Sequence, residues 1–442
     1  MKATVVGLGR EGAALSRYLV KHGQQVTVTD LRPADELRPF IDRLAGLPLE
    51  LALGGHPEEA LRGADTVFLS AGVRRDVPPF AGLPNISSET ELFFQRCPAP
   101  IIGITGSAGK TTTTTLTGLM LAAGVRRVLV GGNIGQPLIE EVDELTGNEL
   151  VVLELSSFQL EYLRQSPHVA LVTNITPNHL DRHPSMQAYI NAKANIVRHQ
   201  AATDVAILNG RDANSSAFAA HTPARTLYFN GRDAHLEGDR LLLRTHDAQH
   251  EICRLGELQI PGRHNVDNVL AASLIALAHG IAPQAIRDVA IRFTGVRHRL
   301  QLVRELRGVA YYNDSIATAP ERTLAALAVF ERPIVLIAGG RDKHLPVDEL
   351  AERVCAQVRG AILVGEAASL LEGAFAAAKR RLGVSQPWLR RANDLGLAVE
   401  LAAEQAREGD VVLLSPACTS YDMFRDFEER GECFVTAVEA LT

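Results

Sequence analysis

Short β-branched runs alternate with longer alanine- and leucine-rich segments through most of this 442-residue chain. The alternation is typical of parallel α/β layers, in which each strand is followed by a crossover helix. It occurs in three blocks, and a chain of this length is expected to form about three domains at roughly 150 residues each. We therefore predict an α/β protein with three domains, over residues 1–98, 99–295 and 296–442, of which the first and last are Rossmann-like.

One segment departs from this alternation. Between about Thr222 and Leu258, short runs such as RTLYFN and RLLLRTH are separated by Gly231, Gly238 and polar residues. Short strands bounded by glycines are typical of hairpins. The sequence therefore predicts a small antiparallel patch within the second block.

Charge, hydropathy and cysteine usage disfavour several classes of function. The 45 Lys and Arg residues are outnumbered by 51 Asp and Glu residues, so no basic excess favours a nucleic acid partner. The most apolar stretch, Val269 to Ala282, is shorter than the roughly 20 apolar residues that a bilayer span needs, so we expect no membrane segment. The chain begins with a strand-like run and shows no leader-peptide pattern, which predicts a cytoplasmic protein. The 5 cysteines contain no C-x-x-C pair, which predicts reduced thiols.

The strongest local motif is Gly103-Ile-Thr-Gly-Ser-Ala-Gly-Lys-Thr-Thr112, which lies between a β-branched run and a helical segment. It resembles a phosphate-binding loop whose first glycine is one place from the usual spacing. Backbone N–H groups at a helix N-terminus can hold phosphates, a lysine can neutralise their charge, and a threonine hydroxyl can hold Mg²⁺. The alternative is a tight turn with an incidental lysine. The predicted nucleotide-binding residues are Gly106, Ser107, Ala108, Gly109, Lys110, Thr111 and Thr112.

A second glycine-rich turn, Gly7-Leu-Gly-Arg-Glu-Gly12, also follows a strand and opens a helix, and Asp30 comes after the next strand. This spacing is typical of a dinucleotide fingerprint. It fits equally a turn that holds another diphosphate, or close packing of a helix on a strand. An NAD-dependent enzyme stays open from this motif alone.

Other polar side chains follow predicted strands of the second block. Glu154 ends the strand in LELSSFQLE, and His179 and Asp181 follow another strand in NITPNHLDRHP. Ligands of open α/β sheets bind beyond the carboxyl ends of the strands, so Glu154 is a candidate Mg²⁺ ligand, with a solvated glutamate as the alternative. His179 is a candidate at the same edge or a structural histidine. Nothing local marks Lys193, which the sequence predicts to be solvated.

Three polar clusters follow strands of the third block: Asn313-Asp314-Ser315, Gly339 to Lys343, and Ser415 to Ser420. Solvation alone does not explain three such clusters, and they predict a ligand crevice. At the junction before them, Arg299 could meet a phosphate as a rigid fork, or form a surface ion pair. Cys418 has no base beside it and is predicted to be a packed thiol.

Taken in order, these motifs resemble the Mur ligase family over nearly the whole chain. The resemblance rests on GITGSAGKTTTT, GGNIG, LELSSFQLE, NITPNHLDRHP, GRHNVDN, GVRHR, NDSIAT, GGRDK and SPACTSYDMFRDFEERGECF. It implies a central P-loop-type ATP-binding domain and an ATP-dependent amide ligase of peptidoglycan synthesis that works through an acyl phosphate. The implied substrates are UDP-N-acetylmuramoyl-L-alanine and glutamate, and we expect a monomer. The alternatives are another Mur ligase or a folylpolyglutamate-type ligase, and, from a different class, a nucleotide- or NAD-binding protein without turnover.

The resemblance also implies roles for individual residues. Lys110, His179 and Lys193 would be catalytic, and two Mg²⁺ sites would use Thr111, Glu154, His179 and a CO₂-carbamylated Lys193. ATP would be bound further by Asn265, Asn268, Arg299 and Asp314. The uridine-linked sugar would be bound by Arg10, Glu11, Asp30, Arg32, Ser70, Gly72, Asn133, Ser156 and Gln159, and glutamate by Thr318, Lys343, Ser420, Tyr421 and Phe427. Ile316 stands where many members have lysine, which leaves D- and L-glutamate both open, with D-glutamate expected.

Overall fold

The computed structural model describes residues 1–124, 127–135, 137–180, 182–245, 247–260 and 262–442. The chain divides into two compact units, Met1–Phe293 and Thr294–Thr442. Each unit is built from parallel strands joined by helices. The boundary expected after residue 98 falls inside the first unit, and the limits of the three domains stay a prediction.

The first 98 residues of the first unit form a five-stranded parallel sheet, ordered β3-β2-β1-β4-β5. The order reverses at β1, so the loops after β1 and β4 leave a crevice between them, as in other open α/β sheets. The strands are β1 (Lys2–Val6), β2 (Gln25–Asp30), β3 (Leu49–Leu53), β4 (Thr66–Leu69) and β5 (Ile86–Ser87). The helices are α1 (Arg10–Lys21), α2 (Ala34–Ile41), α3 (Glu58–Arg62) and α4 (Glu89–Arg96), with a 3-10 turn at Asp42–Leu44.

The rest of the first unit is built on a nine-stranded sheet, ordered β14-β13-β12-β11-β10-β9-β6-β8-β7. Strands β6, β8 and β9 lie side by side and are buried on both faces, which explains their continuous apolar sequence. The strands are β6 (Ile101–Thr105), β7 (Val128–Gly132), β8 (Leu150–Glu154), β9 (Val169–Val172), β10 (Val205–Asn209), β11 (Arg225–Phe229), β12 (Ala234–Glu237), β13 (Arg240–Arg244) and β14 (Gln249–Arg254). The helices are α5 (Lys110–Ala122), α6 (Ser157–Leu160), α7 (Met186–Arg198), α8 (Ala213–Ala217), α9 (Arg263–Ala278) and α10 (Pro283–Arg292). Short 3-10 turns lie at Leu138–Glu140, Val142–Glu144, Phe218–His221 and Leu255–Glu257.

The predicted antiparallel patch is confirmed in part. Strands β12, β13 and β14 pair antiparallel, as the glycine-bounded runs indicated. Strand β11, which contains RTLYF, instead pairs parallel with β10, so the prediction is wrong for this run. The reason is the crossover through α8, which returns the chain in the same direction and extends the parallel sheet by one strand.

The second unit is a six-stranded sheet, ordered β15-β16-β20-β17-β18-β19, in which only β15 of the described strands runs antiparallel to its neighbour. The strands are β15 (Gln301–Leu306), β16 (Val309–Asn313), β17 (Ile334–Gly339), β18 (Val358–Val364), β19 (Trp388–Arg391) and β20 (Val411–Ala417). The helices are α11 (Pro320–Leu327), α12 (Asp348–Gln357), α13 (Ala368–Leu382), α14 (Leu395–Gln405) and α15 (Phe427–Ala440). The three strands that precede the predicted polar clusters, β16, β20 and β17, are neighbours at the centre of this sheet.

Candidate functional site

The glycine-rich loop between β6 and α5 can be built only with glycine at two positions. Gly106 and Gly109 have φ angles of +150° and +82°. A Cβ at Gly106 would lie 1.8 Å from Oγ1 of Thr173, and one at Gly109 would lie 2.4 Å from Oδ1 of Asn268. Helix α5 begins at the end of the loop, so its first N–H groups are directed toward the space where a phosphate can bind.

Helix α9 contributes two of the predicted nucleotide-binding residues to the same region. The Asn268 Oδ1 accepts a hydrogen bond of 3.2 Å from Oγ1 of Thr113 in α5. Its Nδ2 donates to Oδ1 of Asn265 at 3.0 Å. The structure therefore places Asn268 against the phosphate loop and Asn265 beside Asn268.

Two lysines approach the phosphate loop from different helices. Lys110 Nζ and Lys193 Nζ each donate to the carbonyl oxygen of Gly106 at 3.0 Å, and Lys193 also donates to Oγ1 of Thr105 at 3.2 Å. Lys193 is 1% exposed, so the prediction of a solvated lysine is wrong: its face of α7 packs onto the sheet. Burial, and then the charge of Lys110, hold the pKa of Lys193 well below its ordinary value, against an opposing effect of Glu154. An uncharged amine is thereby favoured at this position.

Tyr189 contacts both Lys193 and the phosphate loop, and the rings of Phe158 and His179 lie nearby. The Lys193 Nζ lies 4.9 Å from the ring centroid of Tyr189, whose hydroxyl is 2.9 Å from Oγ of Ser107. His179 is solvent-exposed, has a φ of +54°, and its ring lies 5.1 Å from that of Phe158 and 6.5 Å from that of Tyr189. The sequence analysis missed Tyr189, although its spacing of four residues from Lys193 puts both on one helix face. Asp181, predicted beside His179, lies outside the described residues.

Glu154 combines burial with an unused acceptor. The residue is 2% exposed, so it is not a solvated glutamate. Its Oε1 accepts a hydrogen bond of 2.9 Å from Nδ2 of Asn133, while its buried Oε2 has no partner among the described residues. A buried carboxylate oxygen without a donor is a good candidate for a cation ligand.

The side chains at the carboxyl ends of β6 and β8 supply only some of the oxygen ligands that a Mg²⁺ ion needs. Thr111 in the first turn of α5 is buried, and its hydroxyl and the carboxylate of Glu154 are oxygen ligands of the type that Mg²⁺ prefers. Within the described ranges, no group of three or more His, Cys, Asp or Glu side chains could hold a metal ion. Magnesium characteristically uses one or two carboxylates with phosphate oxygens and water, so these residues fit a site that the nucleotide completes.

The crevice of the N-terminal sheet is organised around Asp30. Its Oδ2 accepts a hydrogen bond of 2.8 Å from the amide of Leu8 in the glycine turn, and Arg32 donates to both carboxylate oxygens. Burial would raise the pKa of Asp30, but the hydrogen bonds from Arg32 and Leu8 outweigh it, and the pKa falls below its ordinary value. Ser70 closes the other side, since its Oγ donates to the carbonyl of Gly7 at 3.2 Å. Asp30, Arg32 and Ser70 thus lie together around the turn, and their role in binding the uridine-linked sugar stays a prediction.

Other predicted substrate residues line a cavity beside that turn. The cavity includes Arg10, Glu11, Asn133, Gln159 and the buried Glu89. Burial raises the pKa of Glu11 to about 7 and, together with the charge of Glu11, the pKa of Glu89 to about 8. The two carboxyls therefore titrate as a pair near neutral pH, and Glu89, which has the higher pKa, is the one that can offer an O–H donor here.

The remaining two predicted residues lie at the ends of short segments nearby. Ser156 caps α6 by accepting from the amide of Gln159 at 3.2 Å, and Oε1 of Gln159 accepts in return from the amide of Ser156. The carbonyl of Gly72 accepts a hydrogen bond of 2.6 Å from Arg182. Glu89 and Arg182 were not predicted from the sequence. Glu89 follows β5, a strand of only two residues that has no recognisable sequence signal, and Arg182 lies in the NITPNHLDRHP segment, where only His179 and Asp181 were singled out.

In the second unit, Asp314 is the most strongly perturbed acid. It is buried, and its oxygens accept from Oγ of Ser415 at 2.8 Å and from the amide of Leu300 at 3.2 Å. Burial raises its pKa to about 7, although those hydrogen bonds and the charge of Arg299 oppose the shift. Arg299 itself is exposed, and the structure brings it within electrostatic range of Asp314.

The predicted glutamate-binding residues follow the central strands of this unit or begin α15. Ser420 is buried, whereas Lys343 and Tyr421 are exposed, and the carbonyl of Phe427 accepts a hydrogen bond of 2.7 Å from Oγ of Ser315. The strand ends are tied together, because the segments at Arg341 and Thr419 exchange backbone hydrogen bonds and Ala417 donates to Ala317. Thr318 follows directly in the same segment. Cys418 is buried with its pKa raised to about 11 by burial, as expected for a packed thiol.

Comparison with known proteins covers the whole chain. Family models match at 1–85 (Mur ligase MurD-like, N-terminal domain), 104–276 (Mur ligase middle domain) and 298–418 (Mur ligase, glutamate ligase domain). The chain is 46% identical to a UDP-N-acetylmuramoylalanine--D-glutamate ligase of Symbiobacterium thermophilum, with 100% of this chain and 98% of the relative covered. It is 40% identical to one of Acetivibrio thermocellus, covering 100% and 96%.

Solved structures support the fold. The UDP-N-acetylmuramate-alanine ligase MurC of Thermotoga maritima matches with a TM-score of 0.57 and 18% identity, over 100% of this chain and 99% of that chain. MurF of Acinetobacter baumannii matches with a TM-score of 0.58 and 16% identity, over 98% and 93%. The predicted three-domain α/β fold class is confirmed. No helix in the described part of the chain has the length and hydropathy to cross a bilayer. The chain belongs to the Mur ligase family, together with the UDP-N-acetylmuramoylalanine--D-glutamate ligases that it matches from end to end.

Proposed function

We propose that this protein is the ATP-dependent ligase that joins D-glutamate to UDP-N-acetylmuramoyl-L-alanine in peptidoglycan precursor synthesis. Relatives that carry this activity in their names align with the chain over its full length. The structural observation that carries the proposal is the convergence of Lys110 and Lys193 on the carbonyl of Gly106, at a loop where α5 begins. Lys110 places a positive charge at a helix N-terminus, which suits a polyphosphate, and the buried Lys193 beside it is the residue that we propose below for a metal site.

The N-terminal block separates this activity from its alternatives. A folylpolyglutamate-type ligase lacks a separate uridine-binding domain, whereas residues 1–85 match the MurD-like N-terminal domain. The carboxylate of Asp30, which accepts from Leu8 and Arg32, leaves this turn poorly suited to a diphosphate. We propose that the turn holds the uridine of a UDP-linked substrate, rather than NAD.

The reaction needs two displacements. A carboxylate oxygen of the alanine attacks the γ-phosphorus of ATP, ADP leaves, and an acyl phosphate forms. The glutamate amine then attacks the acyl carbon, inorganic phosphate leaves, and the amine loses a proton. Phosphoryl transfer between anions depends on positioning and charge neutralisation, which Lys110 supplies from the first turn of α5.

We propose that Mg²⁺ is held by Thr111 and Glu154 at one site, and by His179 and a carbamylated Lys193 at a second. When bound, Mg²⁺ neutralises phosphate charge and fixes the orientation of the oxygens. The buried, partnerless Oε2 of Glu154 supports the first site. The low pKa of Lys193 supports the second, because an uncharged amine can add to CO₂, forming an N–C bond with loss of a proton.

The test is phosphate release from ATP and Mg²⁺ with UDP-N-acetylmuramoyl-L-alanine, in three parallel reactions with D-glutamate, L-glutamate or no amino acid. We expect turnover with D-glutamate, which would show that Ile316 is tolerated. Turnover with L-glutamate alone would instead assign a change of stereochemistry to this pocket. Silence in all three, together with NADH binding that UDP does not displace, would overturn the proposal in favour of a nucleotide-binding protein.

A further inference from the structure

Arg430, in α15 of the second unit, is an arginine with 2% of its surface exposed. All three nitrogen atoms of its guanidinium donate hydrogen bonds to oxygen atoms of the protein. Nε donates to Oγ of Ser315 at 3.0 Å and Nη2 to the carbonyl of Ser315 at 2.9 Å. Nη1 lies within hydrogen-bond distance of the carbonyls of Gly339, Cys418 and Thr419, at 3.4, 3.2 and 3.2 Å.

These acceptors belong to three different strand ends. Ser315 follows β16, Gly339 ends β17, and Cys418 and Thr419 follow β20. The three strands are the central neighbours of the sheet. One planar guanidinium therefore fixes the spacing of three segments at once, which the point charge of a lysine cannot do.

The same three segments, and the helix that carries Arg430, contain the residues proposed to bind glutamate. Thr318 comes shortly after Ser315, Lys343 shortly after Gly339, and Ser420 directly after Thr419. Phe427 begins α15, and its carbonyl accepts from Oγ of Ser315. A displacement of the guanidinium would move these segments relative to one another.

The hydrogen-bond partners of Arg430 in the described part of the chain are carbonyl and hydroxyl oxygens, with no carboxylate among them. Burial lowers the pKa of Arg430 to about 10, and the nearby charges of Cys418 and Asp422 oppose that shift without overcoming it. A buried cation whose partners are only carbonyl and hydroxyl oxygens is costly, and an anion in its neighbourhood lowers that cost. Glutamate with its two carboxylates is such an anion.

We propose that Arg430 is a positioning residue for the amino-acid substrate: it holds the β16, β17 and β20 ends in the register that forms the glutamate pocket. The proposal rests on the proposed ligase function. It assigns to Arg430 no contact with glutamate or ATP. Its effect is therefore expected in the KM for glutamate, more than in the KM of the other two substrates.

The test compares Arg430→Gln and Arg430→Lys with the unaltered enzyme by steady-state phosphate release. We expect Arg430→Gln to raise the KM for D-glutamate by about 10- to 100-fold, with kcat at saturating glutamate and the KM for ATP changed by less than about threefold. Arg430→Lys keeps the charge but loses the planar guanidinium with its several N–H donors, so we expect the KM for D-glutamate to rise by about 5- to 20-fold. Thermal melts followed by circular dichroism establish that each variant is folded.

Arg304→Gln is the matched control. Arg304 also donates to three backbone carbonyls of the same unit, those of Val438, Glu439 and Leu441, but at the other end of α15. We expect it to lower the melting temperature and to leave the KM for glutamate unchanged. If the role of Arg430 were only structural, Arg430→Gln and Arg304→Gln would both lower the melting temperature and leave the KM for glutamate unchanged.

Folded Arg430 variants with an unaltered KM for glutamate, or with equal rises in the KM of all three substrates, would overturn the proposal. If neither variant folds, Ser315→Ala decides, because it removes the Oγ that accepts from Arg430 and donates to Phe427. We expect a rise in the glutamate KM of about 3- to 10-fold for Ser315→Ala, and no change would overturn the proposal. Inactivity of the unaltered enzyme would count against the ligase function instead.

Discussion

The two glycine-rich turns of the first unit have the same strand-turn-helix arrangement and differ in the charged side chains around them. Each follows a parallel strand and opens a helix, the first between β1 and α1 and the second between β6 and α5. At the first, the amide of Leu8 already donates to the carboxylate of Asp30. At the second, the positive charge comes from Lys110 in the first turn of α5, and the buried Lys193 donates to the same carbonyl oxygen of Gly106.

The difference shows that a strand-turn-helix motif does not by itself choose a ligand. The acids of the first turn, Asp30, Glu11 and Glu89, disfavour a polyanion and suit a ligand that donates and accepts neutral hydrogen bonds, such as a nucleoside. The charge of Lys110 and the helix N-terminus at the second suit a triphosphate. Side chains of the turns themselves, such as Glu11 and Lys110, set this preference together with Asp30, which comes from the next strand.

Lys110→Ala should give the largest effect on the second turn. We expect kcat to fall by about three to five orders of magnitude, because the lysine neutralises charge that develops during phosphoryl transfer. Binding of the UDP-linked substrate, measured by calorimetry without ATP, should be unchanged, since that substrate is assigned to the first turn. If Lys110→Ala lost both turnover and binding of the UDP-linked substrate, and its melting temperature fell, the variant would be misfolded. The result would then not separate the roles of the two turns.

Lys193→Ala should have a smaller effect that small carboxylates reverse. We expect activity to fall by about two to three orders of magnitude, and short carboxylates to restore a measurable part by supplying the lost oxygens. The assay is phosphate release with increasing formate or acetate, with Lys193→Arg as the control that fills the space but cannot be carbamylated. No rescue at any concentration would count against the carbamate, and would leave Lys193 as a buried amine at the loop.

Asp30→Ala tests the first turn, and it should affect the UDP-linked substrate and leave ATP unaffected. We expect the KM for the UDP-linked substrate to rise about 10- to 100-fold, because the anchor of Leu8 and Arg32 is lost, while the KM for ATP is unchanged. Asp65→Ala is the matched control: Asp65 also accepts from a backbone amide, but its donor is Lys2 at the start of β1, away from the turn, and Asp65 is exposed. Equal effects of the two variants would refute the assignment of the first turn to substrate.

Much of the fold could be predicted from the sequence, because strands buried on both faces, such as β6 and β8, carry continuous β-branched runs and are followed by helical periodicity. The positions of both glycine turns and of the polar strand ends follow from the same pattern. Strands β15 and β19 were not predicted. They are short and only partly buried, so their sequences lack a continuous apolar run. The pairing of β11 depended on a crossover that local sequence does not specify.

The site was less predictable, because its side chains are perturbed by tertiary burial. Lys193 lies in a polar stretch and was predicted to be solvated, yet the packing of α7 buries it. Glu89 and Arg430 also sit in segments rich in charged residues, and only the packed fold shows that they are enclosed. The family resemblance implied a role for Lys193. It assigned none to Arg430, although Arg430 lies in the SPACTSYDMFRDFEERGECF motif, and Glu89 lies outside the motifs that carry the resemblance.

The smallest expected effect is on stability and concerns the acidity of the first turn. Burial and the charge of Glu11 raise the pKa of Glu89 from its ordinary value of 4.5 to about 8. The folded protein therefore keeps a proton that the unfolded chain loses between about pH 4.5 and pH 8, so this group makes the fold less stable as the pH rises through that window. Glu89→Gln removes the penalty, and we expect it to raise the free energy of unfolding by about 1–2 kcal/mol at pH 8 and to leave it nearly unchanged at pH 5.

The measurement for Glu89→Gln is urea unfolding at pH 5, 6.5 and 8. Glu58→Gln is the control, since Glu58 lies in the first turn of α3 with its side chain 74% exposed, and it should show no such dependence on pH. A Glu89→Gln variant that is destabilised equally at all three pH values would mean that the carboxylate is bound in its charged form. The first turn would then hold a second buried carboxylate beside that of Asp30, and its contrast with the lysine-bearing second turn would be sharper than we propose.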